Sequence, residues 1–76
     1  MLRFTVKVKV KPEHSAKLYQ ILKSVDANIL EEKWHEDGSL SLTFQISAGI
    51  RDEVFERIAK VTKGDFVSQI IKKEEG

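Results

Sequence analysis

Apolar and polar residues alternate without interruption from Leu2 to Val10, at the start of a 76-residue chain. The alternate positions on the polar side include three basic residues, Arg3, Lys7 and Lys9. A period of two with β-branched residues is typical of a strand that buries one face. Pro12 should end this strand, because proline cannot donate to a strand ladder but suits the first turn of a helix. The rest of the chain must therefore supply the layer that covers the apolar face.

The period of the hydrophobic pattern then changes several times along the chain. A helical period predicts two helices, and alternation returns in three further stretches that we predict to be strands. The tight turn at Glu36-Asp37-Gly38 should join the second and third strands into a hairpin. The predicted helices cover residues 13–26 and 50–63, and the predicted strands cover residues 28–35, 40–46 and 65–72.

The order β-α-β-β-α-β predicts an α+β fold, a ferredoxin-like two-layer sandwich with a four-stranded antiparallel sheet. Right-handed connections place both helices on one face of the sheet and leave the other face open. The first strand should be central. We expect one domain over residues 1–76, with a frayed tail at residues 72–76.

The pattern of the hairpin also predicts its register. A three-residue loop would pair Trp34 with Leu40 and Leu30 with Phe44, which keeps the apolar residues of both strands on one side. Glu32 interrupts that side, which suits an edge strand. Trp34 is the only tryptophan. We expect it to cover the end of the core, and an interface anchor is the alternative.

Composition excludes several classes of function. The chain has no cysteine, so disulfides, thiolate metal sites and cysteine nucleophiles are absent. His14 and His35 lie too far apart for a local ligand motif, and no apolar run is long enough to span a bilayer. No nucleophile–base pair or phosphate loop can be inferred. We therefore expect a cytoplasmic protein that is not an enzyme, with no cofactor and no small-molecule substrate.

The open face of the predicted sheet is where a function could reside. Its candidate contact residues have a basic character, and they could meet RNA phosphate or an acidic protein patch. The alternative is an ordinary solvated sheet face, since the net charge of the chain is only +1. Base stacking of the kind that RRM domains use is not expected, because the central strands present no outward aromatic residue. The candidates are Arg3, Lys7, Lys9, Lys33 and His35.

Six short segments, in this order and spacing, carry a resemblance to a known family: Lys17-Leu18-Tyr19, Glu31-Glu32-Lys33-Trp34, Asp37-Gly38-Ser39, Ala48-Gly49-Ile50, Glu53 with Phe55, and Thr62-Lys63-Gly64. The chain resembles the C-terminal domain of the SBDS family of ribosome-maturation proteins, in its archaeal form. The fold class also includes the C-terminal domain of elongation factor G.

The resemblance implies a docking role at the large ribosomal subunit. Family members promote release of an anti-association factor together with a translocase-like GTPase, and their C-terminal domain faces ribosomal RNA and stalk-base proteins. Ser47 stands where the family usually has proline. Met1 directly precedes the first strand, without the family's N-terminal and middle domains. We therefore expect either a free-standing relative or an excised domain.

Two alternatives remain at this point. One is a small-molecule-sensing module of the ACT type, which has the same element order and a similar Asn28-Ile29 start to its second strand. However, Pro12-Glu13-His14-Ser15 stands where such modules carry a glycine. The other is a subunit of a protein complex without nucleic-acid contact. We expect a monomer or a weak dimer paired through the fourth strand.

Overall fold

The computed structural model describes residues 2–75. It contains four strands and two helices, and each helix follows directly on a short 3₁₀ turn. The elements are β1 (Leu2–Val10), a 3₁₀ turn (Pro12–His14), α1 (Ser15–Ser24), β2 (Asn28–Trp34), β3 (Leu40–Ser47), a 3₁₀ turn (Ala48–Ile50), α2 (Arg51–Thr62) and β4 (Phe66–Glu75).

The four strands form one sheet in the order β2-β3-β1-β4, and all neighbouring pairs are antiparallel. The predicted α+β ferredoxin-like sandwich is therefore confirmed. β1 is central, as its pattern predicted, and β3 lies beside it. β2 and β4 form the two edges, and β2 is the strand that Glu32 marked as an edge.

The core lies between the sheet and the helices. Val6 and Val8 of β1 and Leu42 and Phe44 of β3 are completely buried. Their alternation in sequence places these side chains on one face of the sheet, where the helices cover them. Burying such apolar surface is the main stabilising term for a chain of this size. The helices contribute Leu18, Ile21, Leu22, Val54 and Ile58.

The ends of α2 differ in detail from the sequence prediction. The helix begins at Arg51 after a 3₁₀ turn. At its other end, Lys63 already adopts a left-handed conformation with φ 55°, and Gly64 follows with φ 80°. The Gly64 amide donates to the carbonyl of Ala59 at 2.9 Å, which ties off the last turn. The C-terminal end of α2 therefore contains two left-handed residues, whereas the sequence predicted only Gly64 as the residue that ends the helix.

The hairpin register is confirmed at one end and wrong at the other. Trp34 is opposite Leu40, as predicted, but Ile29 rather than Leu30 is opposite Phe44. A bulge between Ile29 and Glu31 causes this shift, because one extra residue in β2 has no partner in β3. Leu30 is 51% exposed as a result.

The expectation that Trp34 covers the end of the core is also wrong. The side chain is 53% exposed, although its position opposite Leu40 puts it on the helix side of the sheet. β2 is an edge strand, so no further strand packs beside the indole. The ring is instead held by a hydrogen bond to Glu32.

β4 is longer than its sequence pattern predicted. Residues 72–75 pair with residues 2–5 of β1, so the frayed tail expected at residues 72–76 is a strand as far as Glu75. Backbone pairing along the central strand explains this extension, since β1 offers partners as far as Leu2. Gly76 lies outside the described residues.

The sequence left open which side of β4 faces the helices. Phe66, Ser68 and Ile70 are opposite Val10, Val8 and Val6, so they lie on the helix side. A register shift beyond Ile70 then reverses the pattern, and Ile71 has no partner in β1. Lys72 consequently lies on the same face as Thr5, its partner in β1.

Candidate functional site

The open face of the sheet presents rows of side chains that cross all four strands. In the first row, Lys33 of β2 pairs with Ser41 of β3, which pairs with Lys9 of β1, which pairs with Val67 of β4. Directly paired residues of antiparallel strands have their side chains on the same face, roughly 5 Å apart. Ser41 therefore lies between two lysines.

The second row lies two residues further along each strand. It contains Glu31, Thr43, Lys7 and Gln69 in the same strand order. Glu31 is the one carboxylate of these two rows, and it stands two strands away from Lys7. The centre of the open face is therefore occupied by lysine and neutral polar groups.

A shallow groove of about 290 Å³ runs between the two rows. His35 stands at its rim, with Nε2 2.7 Å from the hydroxyl oxygen of Ser41. This hydrogen bond fixes the imidazole over the sheet rather than out in solvent. The groove is lined by Lys7, Lys9, His35, Ser41, Val67 and Gln69.

Three of the five predicted contact residues line this groove, and Lys33 joins them through the first row. Arg3 does not. It lies six residues from Lys9 along β1, about 20 Å at the rise of a strand. Arg3 lines a different depression with Asn28, Gln45 and Ser47. The structure therefore brings together four of the five candidates and leaves Arg3 at the far end of the face.

The clustered lysines form no salt bridge in the part of the chain that the structure describes. Within residues 2–75, no ion pair involves Lys7, Lys9 or Lys33, and all three side chains are exposed. Arg3 likewise forms no ion pair in this part of the chain. A cation that is not neutralised by its own protein is available to an anionic partner.

Charge is distributed unevenly between the two sides of the molecule. The open face carries five of the 13 lysines and arginines but only two of the 12 acidic residues. The remainder of the chain is therefore net acidic, although the whole chain has a net charge of only +1. These open-face residues are Arg3, Lys7, Lys9, Lys33 and Lys72, with Glu31 and Glu74.

Asp37 is an acidic group in the hairpin turn, and it lines a separate depression with Lys9. The hydroxyl and the backbone amide of Ser39 both donate to its Oδ1, at 2.6 and 2.9 Å. These two hydrogen bonds lower the pKa of Asp37, and the positive charge of Lys9 and the nearby His35 lower it further by a smaller amount. The carboxylate thus serves the hairpin turn and remains ionised at neutral pH.

Sequence reasoning missed the contribution of β4 to this face. Val67 and Gln69 complete the two rows, and Lys72 adds a basic group further along. The alternating pattern of β4 is apolar on both sides, so its inward face could not be chosen from the sequence. The register shift near Ile70 leaves no signal in the pattern either.

The chemistry available on this face is the binding of anions. Ammonium groups spaced over a flat polar surface can contact phosphate oxygens, whereas base stacking requires aromatic rings. No aromatic side chain belongs to the open-face rows described above. Within residues 2–75, no group of three or more His, Asp or Glu side chains is arranged to hold a metal ion. None of the helices described is long and apolar enough to cross a membrane.

The fold and this face together define a small ferredoxin-like domain with a basic, open sheet surface. A model of a known family, the C-terminal domain of SBDS protein, matches residues 4–73. The chain therefore belongs to the SBDS C-terminal domain family, as the resemblance of its hairpin and helix-end motifs indicated.

Two curated archaeal relatives are similar over most of this chain. One is a ribosome maturation protein SDO1 homolog from Aeropyrum pernix, 34% identical over 64 residues, which cover 84% of this chain and 27% of the relative. The other is a ribosome maturation protein SDO1 homolog from Methanothermobacter thermautotrophicus, 25% identical over 67 residues, covering 88% of this chain and 28% of the relative. The chain thus spans about a quarter of the length of the curated relatives it matches.

Proposed function

We propose that this chain is a non-catalytic cytoplasmic docking module for the large ribosomal subunit, with a role in maturation of that subunit. The names of its two relatives supply the context, since both are ribosome maturation proteins. The observation that carries the proposal is that three open-face lysines, Lys7, Lys9 and Lys33, form no ion pair within residues 2–75. The family match favours this function over the ACT-type alternative.

Ribosomal RNA is the partner that this surface fits best. Phosphate contacts need cations and hydrogen-bond donors but no aromatic platform. Thr43 adds a half-buried hydroxyl donor beside Lys7. Ser41 is buried, and its hydroxyl is already hydrogen-bonded to His35. Contacts of lysine side chains with phosphate position a protein without reading sequence.

Sedimentation with archaeal large ribosomal subunits at low and moderate salt tests the proposal. The wild-type chain should co-migrate with the subunit, and the bound fraction should fall as salt rises, because phosphate binding releases counter-ions. The double variant Lys7→Glu, Lys9→Glu should lose most of this binding. The matched control is Lys17→Glu, Lys23→Glu, which makes the same change in net charge on exposed positions of α1.

The variants also separate the two parts of the proposal. If the wild-type chain stays at the top of the gradient in both salts, the ribosomal docking function is wrong. If the chain co-migrates but both double variants bind equally well, docking stands and the open face is not the contact surface. Thermal unfolding of each variant shows whether a loss of binding reflects a loss of fold.

A further inference from the structure

A second exposed feature lies on the opposite side of the sheet, at the β2 edge. Glu32 and Trp34 alternate with the open-face residues of β2, so both side chains lie on the helix side. Tyr19 reaches them from α1. We call these three residues the aromatic–carboxylate cluster. It shares no residue with the basic groove.

Two hydrogen bonds hold the cluster together. The Tyr19 hydroxyl donates to Oε2 of Glu32, and Nε1 of Trp34 donates to Oε1 at 2.7 Å. One carboxylate thus fixes two aromatic rings, one on a helix and one on a strand. Trp34 is nevertheless 53% exposed, so the residue is both held in place and accessible. A side chain that is ordered before binding loses less entropy when a partner arrives.

The negative charge in the cluster has no counter-ion within residues 2–75, since no ion pair there involves Glu32. The two hydrogen bonds, that of Tyr19 first, lower the pKa of Glu32, so the group is ionised at neutral pH. Each carboxylate oxygen has a second lone pair left for another donor. The site therefore combines a fixed anion with an exposed indole face.

An arginine side chain matches both halves of this arrangement. Its guanidinium group can stack on an indole ring while its N–H groups donate to a carboxylate. The surrounding charge also favours a basic partner. The turn that follows β2 adds two further carboxylates, Glu36 and Asp37. A nucleic acid would be repelled here, in contrast to the basic open face.

We propose that the aromatic–carboxylate cluster docks an arginine-bearing basic segment of a partner protein, with the guanidinium stacked on the exposed face of Trp34 and donating to the free lone pairs of Glu32. The inference does not rest on the ribosomal function. It gives the domain two surfaces of opposite charge, one for phosphate on the open face and one for a basic polypeptide at the β2 edge. Tyr19 acts as a positioning residue, because its hydrogen bond holds the Glu32 carboxylate in place.

Titration with defined peptides tests this proposal. The probe is a short peptide with two arginines in a Gly/Ser/Leu context, and its control replaces both arginines with glutamine. Trp34 is the only tryptophan, so its fluorescence reports directly on the site. Fluorescein-labelled peptide anisotropy provides a second signal for variants that lack the indole. The arginine peptide should shift the Trp34 emission, and the glutamine peptide should not.

Three variants give the expected pattern. Glu32→Gln keeps the shape of the side chain and removes its charge, and it should weaken binding of the arginine peptide at least tenfold. Trp34→Leu should have a similar effect. Lys7→Gln with Lys9→Gln, on the other face, should leave affinity within twofold of wild type. Equal unfolding temperatures establish that the exposed substitutions preserve the fold.

Other outcomes would overturn the proposal. Absence of any signal with excess arginine peptide would mean that the cluster binds no basic segment. Equal binding of the glutamine peptide would indicate an apolar occupant. If the arginine peptide bound the Glu32→Gln variant as tightly as the wild-type protein, its contact would lie elsewhere on the surface. A concentration-dependent dimer that shields Trp34, measured by sedimentation velocity, would identify a second copy of the chain as the occupant.

Discussion

Glu32 accepts a hydrogen bond of 2.7 Å from the indole nitrogen of Trp34, two residues later on the same side of β2. The two residues are neighbours because side chains in a strand return to the same face every second position. An exposed edge strand usually leaves its tryptophan free to rotate. Here the carboxylate holds it, and the same carboxylate also accepts from Tyr19. The protonation state of Glu32 should therefore control the environment of the indole.

Acid titration of Trp34 fluorescence should show this control. The pKa of Glu32 is lowered by its hydrogen bonds, from Tyr19 first and then Trp34. A carboxyl group with a depressed folded-state pKa contributes stability above its unfolded pKa, and that contribution is lost as pH falls through the folded value. The emission should therefore stay constant down to pH ~4.3, the usual glutamate value, and change below it.

Two variants test whether the fluorescence change at acid pH comes from protonation of Glu32. Glu32→Gln should remove the transition, whereas Glu36→Gln, at an exposed position of the same hairpin, should leave it in place. A midpoint at or above the ordinary glutamate pKa would contradict the hydrogen-bonded arrangement.

Tyr19 should show the complementary effect at alkaline pH. Burial and the hydrogen bond to Glu32 raise the pKa of Tyr19 to about 12, compared with about 10 for an unperturbed tyrosine. The folded state thus holds the phenolic proton more tightly, so this contribution to stability is lost as pH rises beyond the unfolded value. Because Tyr19 is the only tyrosine, tyrosinate absorbance gives its titration directly. Glu32→Gln should lower the midpoint, and an unchanged midpoint would rule out the influence of Glu32.

The fold could be predicted from the sequence because local periodicity and burial agree along most of the chain. In β1, every apolar side chain of the alternating pattern from Phe4 to Val10 is buried. The Asp37-Gly38 turn predicted the register of the hairpin next to the loop, where Trp34 pairs with Leu40. These features depend on neighbouring residues only, so one sequence is enough to read them.

Features that depend on strand irregularity could not be predicted. A bulge is a backbone event with no required side chain, so nothing in the pattern of β2 shows that Leu30 is the extra residue. The same applies to the register shift beyond Ile70, which turns Lys72 towards the open face. The candidate site was therefore predicted from β1, β2 and β3 and lacked its β4 residues. The link from Tyr19 to Glu32 joins a helix to a strand, and the sequence pattern gave no sign of it.

The bulge in β2 makes a testable difference between two leucines. Leu42 is fully buried, so Leu42→Ala should lower the free energy of unfolding by about 2–5 kcal/mol through lost burial and the remaining cavity. Leu30 is 51% exposed, and Leu30→Ala should cost less than about 1 kcal/mol. Urea unfolding at equilibrium measures both. If the two substitutions lowered the free energy of unfolding equally, Leu30 would belong to the core. That result would indicate a β2–β3 pairing without the bulge.

The two ends of α2 provide a matched pair of glycines, Gly49 before the helix and Gly64 after it. Gly64 has φ 80° and no atom within 4 Å of an added Cβ, so Gly64→Ala would act through the backbone alone. Left-handed backbone is unfavourable for residues with a Cβ, and we expect a loss of about 1 kcal/mol. Gly49 also has open space around an added Cβ but no left-handed φ. Gly49→Ala should therefore be neutral or stabilise the protein by up to about 1 kcal/mol. Thermal unfolding of both variants separates the effects, and equal losses would show that the left-handed turn does not form in solution.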